Sequence, residues 1–324
     1  LTSCSNERVV DQLHILTTLG FDKNQYGYTG TALYSNLTQK GGKISFIQGN
    51  SKQIQLILNQ MNNQSTKRID ISKLRMIMFS QEVAKEGLSN FLLTICKDPL
   101  LSNYLYIVVT DGSIASFSKG LKDKDRGNFP YYMIEQNMNT GNIPRSNLST
   151  VLFDFYGEGR DFSVPYLRFN KNGETEITGY GIFKDDKLKL VINREEMELF
   201  KLLQGKFIQG DIPYTIIDEQ GKNTALFSLQ YGKGHKTISK HKYGTKVTYH
   251  LILNGMVKEY PQGTKVGINK SLVHLKKKLQ SDLVALLNKF KEERVDPLGI
   301  GDLVRANSRD WNENQFYKEN YSNI

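Results

Sequence analysis

The stretch that decides the fold is NKSLVHLKKKLQSDLVALLNKFKEE, residues 269–293. Leu272, Leu275, Leu279, Leu283, Leu286 and Phe290 recur at spacings of three and four. That period places six large apolar side chains on one stripe of a helix. The opposite side is polar and carries Lys276, Lys277 and Lys278. A helix of this kind must bury its stripe against another layer. The preceding residues supply one, because 224–231, 236–241, 245–253 and 256–260 read as consecutive strands. Tyr243-Gly244 and Asn254-Gly255 read as hairpin turns between them. Meander strands followed by a long amphipathic helix give an α+β domain with the helix laid across the sheet.

Working outward, the sequence predicts further mixed elements. Strands are expected at 26–34, 43–48, 74–79 and 104–110, with a helix over 51–62. Residues 22–27 read as a hairpin-type turn; Tyr26 and Leu33 stand where a calcium loop would need oxygen ligands. Ser80 is placed to cap one helix over 81–96, which Asp98-Pro99 stops. Cys96 reads as a small core residue of that helix. Asn193 is placed to cap a helix over 194–203, ending before Gly205. Charge and glycine concentrate at 119–127 and suggest a boundary. The expected organisation is three α+β domains with mixed or antiparallel sheets and flanking helices. These are an N-terminal domain at 8–120, a middle domain at 121–204 and a C-terminal domain at 205–324, after a linker at 1–7.

Composition bounds the function. The chain has 324 residues, 39% of them hydrophobic, and no apolar run approaches the roughly 18–20 residues of a spanning helix. Net charge is +10, and from residue 205 onward 19 Lys and Arg stand against 12 Asp and Glu. Such a balance suits an anionic membrane surface or an acidic partner. Nucleic acid is disfavoured, because aromatic residues do not interleave with the lysines.

Motifs for catalysis are incomplete. Ser116-Phe117-Ser118-Lys119 matches S-x-x-K, but its Ser-Asp-Asn and Lys-Thr-Gly partners are absent. Gly179-Tyr180-Gly181 lacks a third glycine and fits a strand interior. His235, His241 and His250 share one hairpin without a carboxylate or cysteine among them, so surface histidines are expected rather than a metal site. Glu195-Glu196 and Glu292-Glu293 read as solvated helix neighbours. We therefore expect no catalytic residue, no cofactor and no metal ligand. Lys276, Lys277 and Lys278 are candidates for membrane or partner contact.

The N-terminus reads Leu1-Thr2-Ser3-Cys4. An apolar residue, two small residues and a cysteine resemble a bacterial lipobox, whose thiol takes the lipid. Cys4 is thus the expected lipidation site, and acyl chains contribute about 0.8 kcal/mol per buried CH₂.

Several further stretches resemble the Ger(x)C family, the C subunits of spore germinant receptors. They are Phe79-Ser80-Gln81-Glu82-Val83-Ala84-Lys85-Glu86-Gly87-Leu88, Lys97-Asp98-Pro99, 179–188 (GYGIFKDDKL), Leu203-Gln204-Gly205-Lys206, Asp296-Pro297-Leu298-Gly299-Ile300-Gly301 and Trp311. Their shared order spans nearly the whole chain. Two departures stand out: the residues after Cys4 lack the family's usual Trp, and the sequence ends at Ile324, where members typically continue into a final strand. The resemblance implies three α+β domains, no known catalytic residue and a complex with integral-membrane A and B subunits. It places the chain, lipid-anchored, at the outer face of the inner spore (cytoplasmic) membrane. The competing expectation is a solute-binding lipoprotein of a transport system, disfavoured by the consecutive strands of the last third.

Overall fold

The computed structural model describes residues 12–38, 41–122, 124–125, 129–169, 174–205, 210–218, 221–241, 244–259 and 267–324. The chain forms two compact units. The first takes most of the chain up to Val191, and the second takes 192–324 together with 137–145 and 156–161.

The first unit is built on one mixed sheet. Its elements begin with β1 (Leu13–Asn24), β2 (Gly27–Thr38), β3 (Gly41–Ser51), α1 (Ile54–Gln64), β4 (Arg68–Asp70) and β5 (Met76–Ser80). Then come α2 (Gln81–Glu86), α3 (Ser89–Cys96), β6 (Tyr106–Thr110), α4 (Ile114–Leu121), α5 (Pro130–Asn139) and α6 (Leu148–Tyr156). The sheet closes with β7 (Ser163–Phe169), β8 (Thr175–Lys184) and β9 (Lys187–Asn193). Strand order is β3-β2-β1-β5-β6-β7-β8-β9, with β4 also beside β1. The centre, β1-β5-β6-β7, is parallel, and β2-β3 and β8 add antiparallel flanks. Buried on both faces, β5 and β6 read as continuous apolar runs, as parallel strands do. Because β7 pairs with β6, most of the stretch 121–204 continues this sheet and the rest belongs to the second unit.

Alternation along β1 divides the helices between the faces. Leu19 and Phe21 face the core that α1 and α3 cover. Gly20 and Asp22 face α4: a Cβ on Gly20 would lie 2.4 Å from Ile114 Cγ2. Asp22 is therefore a buried strand residue, not part of a turn. The turn is Gln25-Tyr26, where the Tyr26 amide donates to Asn24 Oδ1 at 2.7 Å.

The single helix expected over 81–96 is two. Gly87 has φ 132°, and the chain breaks there. The β8–β9 turn causes the break. Asp186 O accepts from the Leu88 amide at 2.9 Å, and its carboxylate accepts from the Ser89 amide at 3.1 Å and from the Ser89 hydroxyl. A side chain at position 87 would collide with Asp186 Oδ2. Cys96 also departs from expectation, because it is exposed. Phe91, Leu92 and Ile95 take the inward positions, and Cys96 lies a further ~100° round the helix from Ile95.

The second unit comprises α7 (Arg194–Gln204), β10 (Gly210–Asp218), β11 (Gly221–His241), β12 (Gly244–Glu259), α8 (Ile268–Glu292), α9 (Ile300–Ala306) and short helical turns over 313–323. The expected four-strand meander is two long strands, β11 over the first two and β12 over the last two, and β10, which the sequence reading did not place, completes the order β10-β11-β12. Asn254-Gly255 is not a turn. It lies inside β12 opposite a register shift between Leu229 and Tyr231. Gly255 is needed there because a Cβ would sit 2.2 Å from Ser228 O. The long helix forms as expected. Leu275, Leu279, Leu286 and Phe290 are buried, and Leu272 and Leu283 pack at the margin. Each fully buried side chain of this size stabilises the unit by about 1.5–3 kcal/mol. Tyr214, Ile216, Ala225, Phe227 and Leu229 form the sheet side of that core.

Candidate functional site

Two buried carboxylates organise helix starts. Asp22 is buried and accepts from the Ile114 and Ala115 amides at 3.0 and 2.8 Å, and from the Ser113 hydroxyl at 3.3 Å. These are unpaired amides of the first turn of α4, which favours a negative group. Burial nevertheless pushes its pKa up, against the lowering effect of those hydrogen bonds.

Asp296 is fully buried. It accepts from the Ile300 amide at 2.9 Å, the Gly301 amide at 2.7 Å and the Tyr317 hydroxyl at 3.1 Å. Its own amide donates to Asp161 Oδ2 at 2.6 Å, and its carbonyl accepts from the Asp161 amide at 3.0 Å. Burial again raises the carboxyl pKa, while the Gly301 and Ile300 amides, Tyr317 and the charge of Lys236 oppose it. Burial is also the first cause raising the hydroxyls of Tyr317 and Tyr321, and the Asp296 charge adds to it. Gly301 packs directly on Gly159, which has φ 77° and whose Cβ would meet Asp302 N at 2.4 Å. Arg160 pairs with Asp302, and Trp311 Nε1 donates to Glu158 at 3.0 Å. The arrangement is a closed joint with its acceptors occupied.

Other sequence candidates are equally specific in place. Ser116 and Lys119 are exposed on α4, and the Ser116 amide is capped by Ser113 Oγ at 3.3 Å. Gly179-Tyr180-Gly181 lies inside β8. Glu196 is not simply solvated: with Asn193 it forms a reciprocal capping box on α7, and it pairs with Lys289 of α8 at 2.7 Å. Glu195 falls in the same first turn. Gly205 ends α7 in the left-handed region and abuts Gly234, whose amide donates to Gly205 O at 3.3 Å. Among the described residues, no group of three or more His, Cys, Asp or Glu is placed to hold a metal, and no helix is long and apolar enough to cross a membrane. Cys4 and Lys206 lie outside the described residues, as does the side chain of His241.

The polar side of α8 is basic. Lys276, Lys277 and Lys278 are exposed on α8, and Lys278 pairs with Asp282 at 2.6 Å. A second basic face escaped the sequence reading. No Asp or Glu occurs between Lys222 and Lys258. Register puts Tyr231, Lys233, His235, Thr237 and Ser239 on one face of β11 with Asn254, Ile252, His250, Thr248 and Lys246 of β12. The His235 and His250 rings stack at 4.7 Å, and Thr237 bonds His250 Nε2 at 3.2 Å. Period-two reading of 231–239 would have exposed this face had the strand not been broken at 232–235 in the sequence reading.

The family-like segments therefore occupy joints: 79–88 meets 179–188 through Gly87 and Asp186, while 296–301 closes over Gly159 and Asp161. Comparison with known proteins agrees. The family pattern described as "Spore germination protein N-terminal domain" matches residues 6–169, and "Spore germination B3/ GerAC like, C-terminal" matches 178–324. The chain belongs to this spore germination family. A curated relative, "Spore germination protein GerQC" of Bacillus cereus, is 23% identical over 100% of this chain and 92% of its own length. The solved structure titled "Crystal Structure of the GerBC protein" has a TM-score of 0.62 at 15% identity, covering 94% of this chain and 92% of that one. That likeness gives the same α+β fold, with its large mixed sheet, flanking helices and 25-residue helix. Members of the family are spore germination proteins rather than a recognised class of enzyme.

Proposed function

We propose that this chain is the C subunit of a spore germinant receptor, needed for nutrient-triggered germination. It is anchored through lipid on Cys4 at the outer face of the inner spore membrane. There it acts as a scaffold or signalling partner for the integral-membrane A and B subunits. The observation carrying this reading is the match of both halves of the chain to the spore germination family. Two features support it. The residues through which the chain resembles its family build joints rather than a reactive centre, as a scaffold requires. The exposed lysines of α8 and the carboxylate-free face of β11–β12 suit anionic headgroups or an acidic partner.

The test is a germination assay on spores carrying Cys4→Ala in the full-length precursor, with membrane fractionation alongside. Loss from the membrane fraction with a weakened nutrient response is the expected result. Full membrane retention with a normal response would sink the anchor. Deletion of the whole gene with an unchanged nutrient response would sink the receptor role itself.

A further inference from the structure

An apolar groove of about 310 Å³ opens in the first unit between α1 and α3. Its origin is in the packing of the two helices. Gly30 and Gly49 draw α1 close over β2 and β3; a Cβ on Gly30 would lie 2.3 Å from Ile57 Cγ2. Phe91 holds α3 over β1 and β5, against Phe21 at 4.9 Å and Phe79 at 5.0 Å. The helices are thus fixed at separate places on the sheet. Leu19 and Ile77 floor the gap, and Leu58 and Ile95 wall it. The volume lies at the low end of ligand pockets, roughly 300–1,000 Å³, which are likewise mostly apolar with few polar groups.

The rim is different in character. Gln55, Thr94, Lys97 and Asp98 line it. Thr94 donates to Asn90 O, and Asp98 Oδ1 accepts from the Leu100 amide at 3.0 Å, so both are engaged locally. Lys97 is exposed and has no ion pair among the described residues. Leu56, Leu93 and Leu100, each next in sequence to a lining residue, are 46%, 40% and 50% exposed. Three open leucines beside an apolar groove form a surface that water solvates poorly and that an apolar chain can cross.

We propose that this groove binds a small amphiphile, with its apolar body between α1 and α3 and its anionic end at Lys97. The charge of the end group follows from Lys97, the one unpaired cation at the rim among the described residues. An apolar cavity binds an apolar guest because it holds no water with good hydrogen bonds to lose. This site goes beyond the receptor-subunit reading and stands independently of Cys4.

The test is calorimetric titration of the purified chain with decanoate, decanol and decylamine, each below its aggregation threshold. Saturable binding with one site per chain is expected, with decanoate tightest and decylamine weakest. Lys97→Gln should weaken decanoate about threefold, as an exposed ion pair does, and leave decanol unchanged. Leu58→Trp should abolish binding by filling the groove from α1. Thr94→Trp fills it from α3 at a half-exposed position, so a folded blocking variant is available whichever helix tolerates the larger ring. Thermal melts verify folding. Absence of saturable binding, binding indifferent to both tryptophans in folded protein, or a preference for decylamine would each overturn the proposal.

Discussion

Asp22 and Asp296 do the same job in the two units by different routes. Each is a buried carboxylate whose pKa burial raises, and each accepts from two amides at the start of a helix. Asp22 reaches across 92 and 93 residues, from β1 to α4. Asp296 reaches across four and five residues to its own α9, and Asp161 then ties its backbone from 135 residues away. The first holds a helix to a sheet face that Leu19 and Phe21 already stabilise from the other side. The second is the centre of its joint, with a tyrosine hydroxyl added to the amides. A buried acceptor matters most where its donors are also shut off from water: Asp296 is 0% exposed against 8% for Asp22, and the Ser113 hydroxyl that Asp22 accepts from belongs to an exposed residue. The second unit should therefore depend more on its carboxylate than the first.

Asp296→Ala tests this most severely. It leaves the Ile300 and Gly301 amides and the Tyr317 hydroxyl without their acceptor in a buried place. We expect a loss of about 3 kcal/mol or more in urea unfolding. A loss below that of Asp22→Ala would break the comparison. Gly159→Ala attacks the same joint through the backbone, since φ 77° and the 2.4 Å approach to Asp302 N both exclude a side chain. Its expected cost is about 2 kcal/mol, and equal stability to wild type would remove close packing from the account. Asp22→Ala should cost about 1–2 kcal/mol, the scale of a lost helix cap.

A pH series sharpens the comparison further. For Asp22 the folded pKa lies above the ordinary 3.8, so the folded state holds the proton more tightly than the unfolded chain. Stability from this group is then greatest below the ordinary value and falls as pH rises through the folded one. Wild type minus Asp22→Asn should therefore show a stability difference that shifts against wild type as pH rises above the ordinary carboxylate value. The same difference constant with pH would mean that the hydrogen bonds cancel burial at this site, and a shift in favour of wild type would mean that they outweigh it. The smallest effect belongs to Lys276→Glu with Lys277→Glu. Both side chains are exposed, so stability should change by less than about 0.5 kcal/mol. Co-purification with membranes should still fall if α8 faces the bilayer or its partner.

The contrast between the carboxylates also explains what reading the sequence missed. Asp22 sits in Phe21-Asp22-Lys23-Asn24, a string that looks like turn chemistry. Only the arrival of α4 over Gly20 makes it a cap. The single helix read over 81–96 runs through Gly87, and only Asp186, packed beside it, ends that helix there. Asn254-Gly255 carries the strongest local hairpin signal, yet the bulge near Leu229 and Tyr231 absorbed it. Cys96 misled because a short apolar helix gives weak phase information, and one residue's rotation turns inside to outside. The groove between α1 and α3 left no trace in the sequence at all, since its lining comes from strands and helices far apart along the chain.

By itself the sequence determined the α+β class, the long helix, the family and the caps whose donors lie within a few residues. Those features are set by periodicity and local hydrogen bonding, which act over one or two turns. The tertiary structure alone decided which carboxylates were buried, where glycines admitted a neighbouring backbone, and which strands shared an exposed basic face. Each of those depends on a partner outside the local turn, as Asp22 and Ile114 are 92 residues apart, or on the register of a strand pair. A period-two pattern does not fix which strand its neighbour is, because pairing partners are selected by packing of the whole sheet.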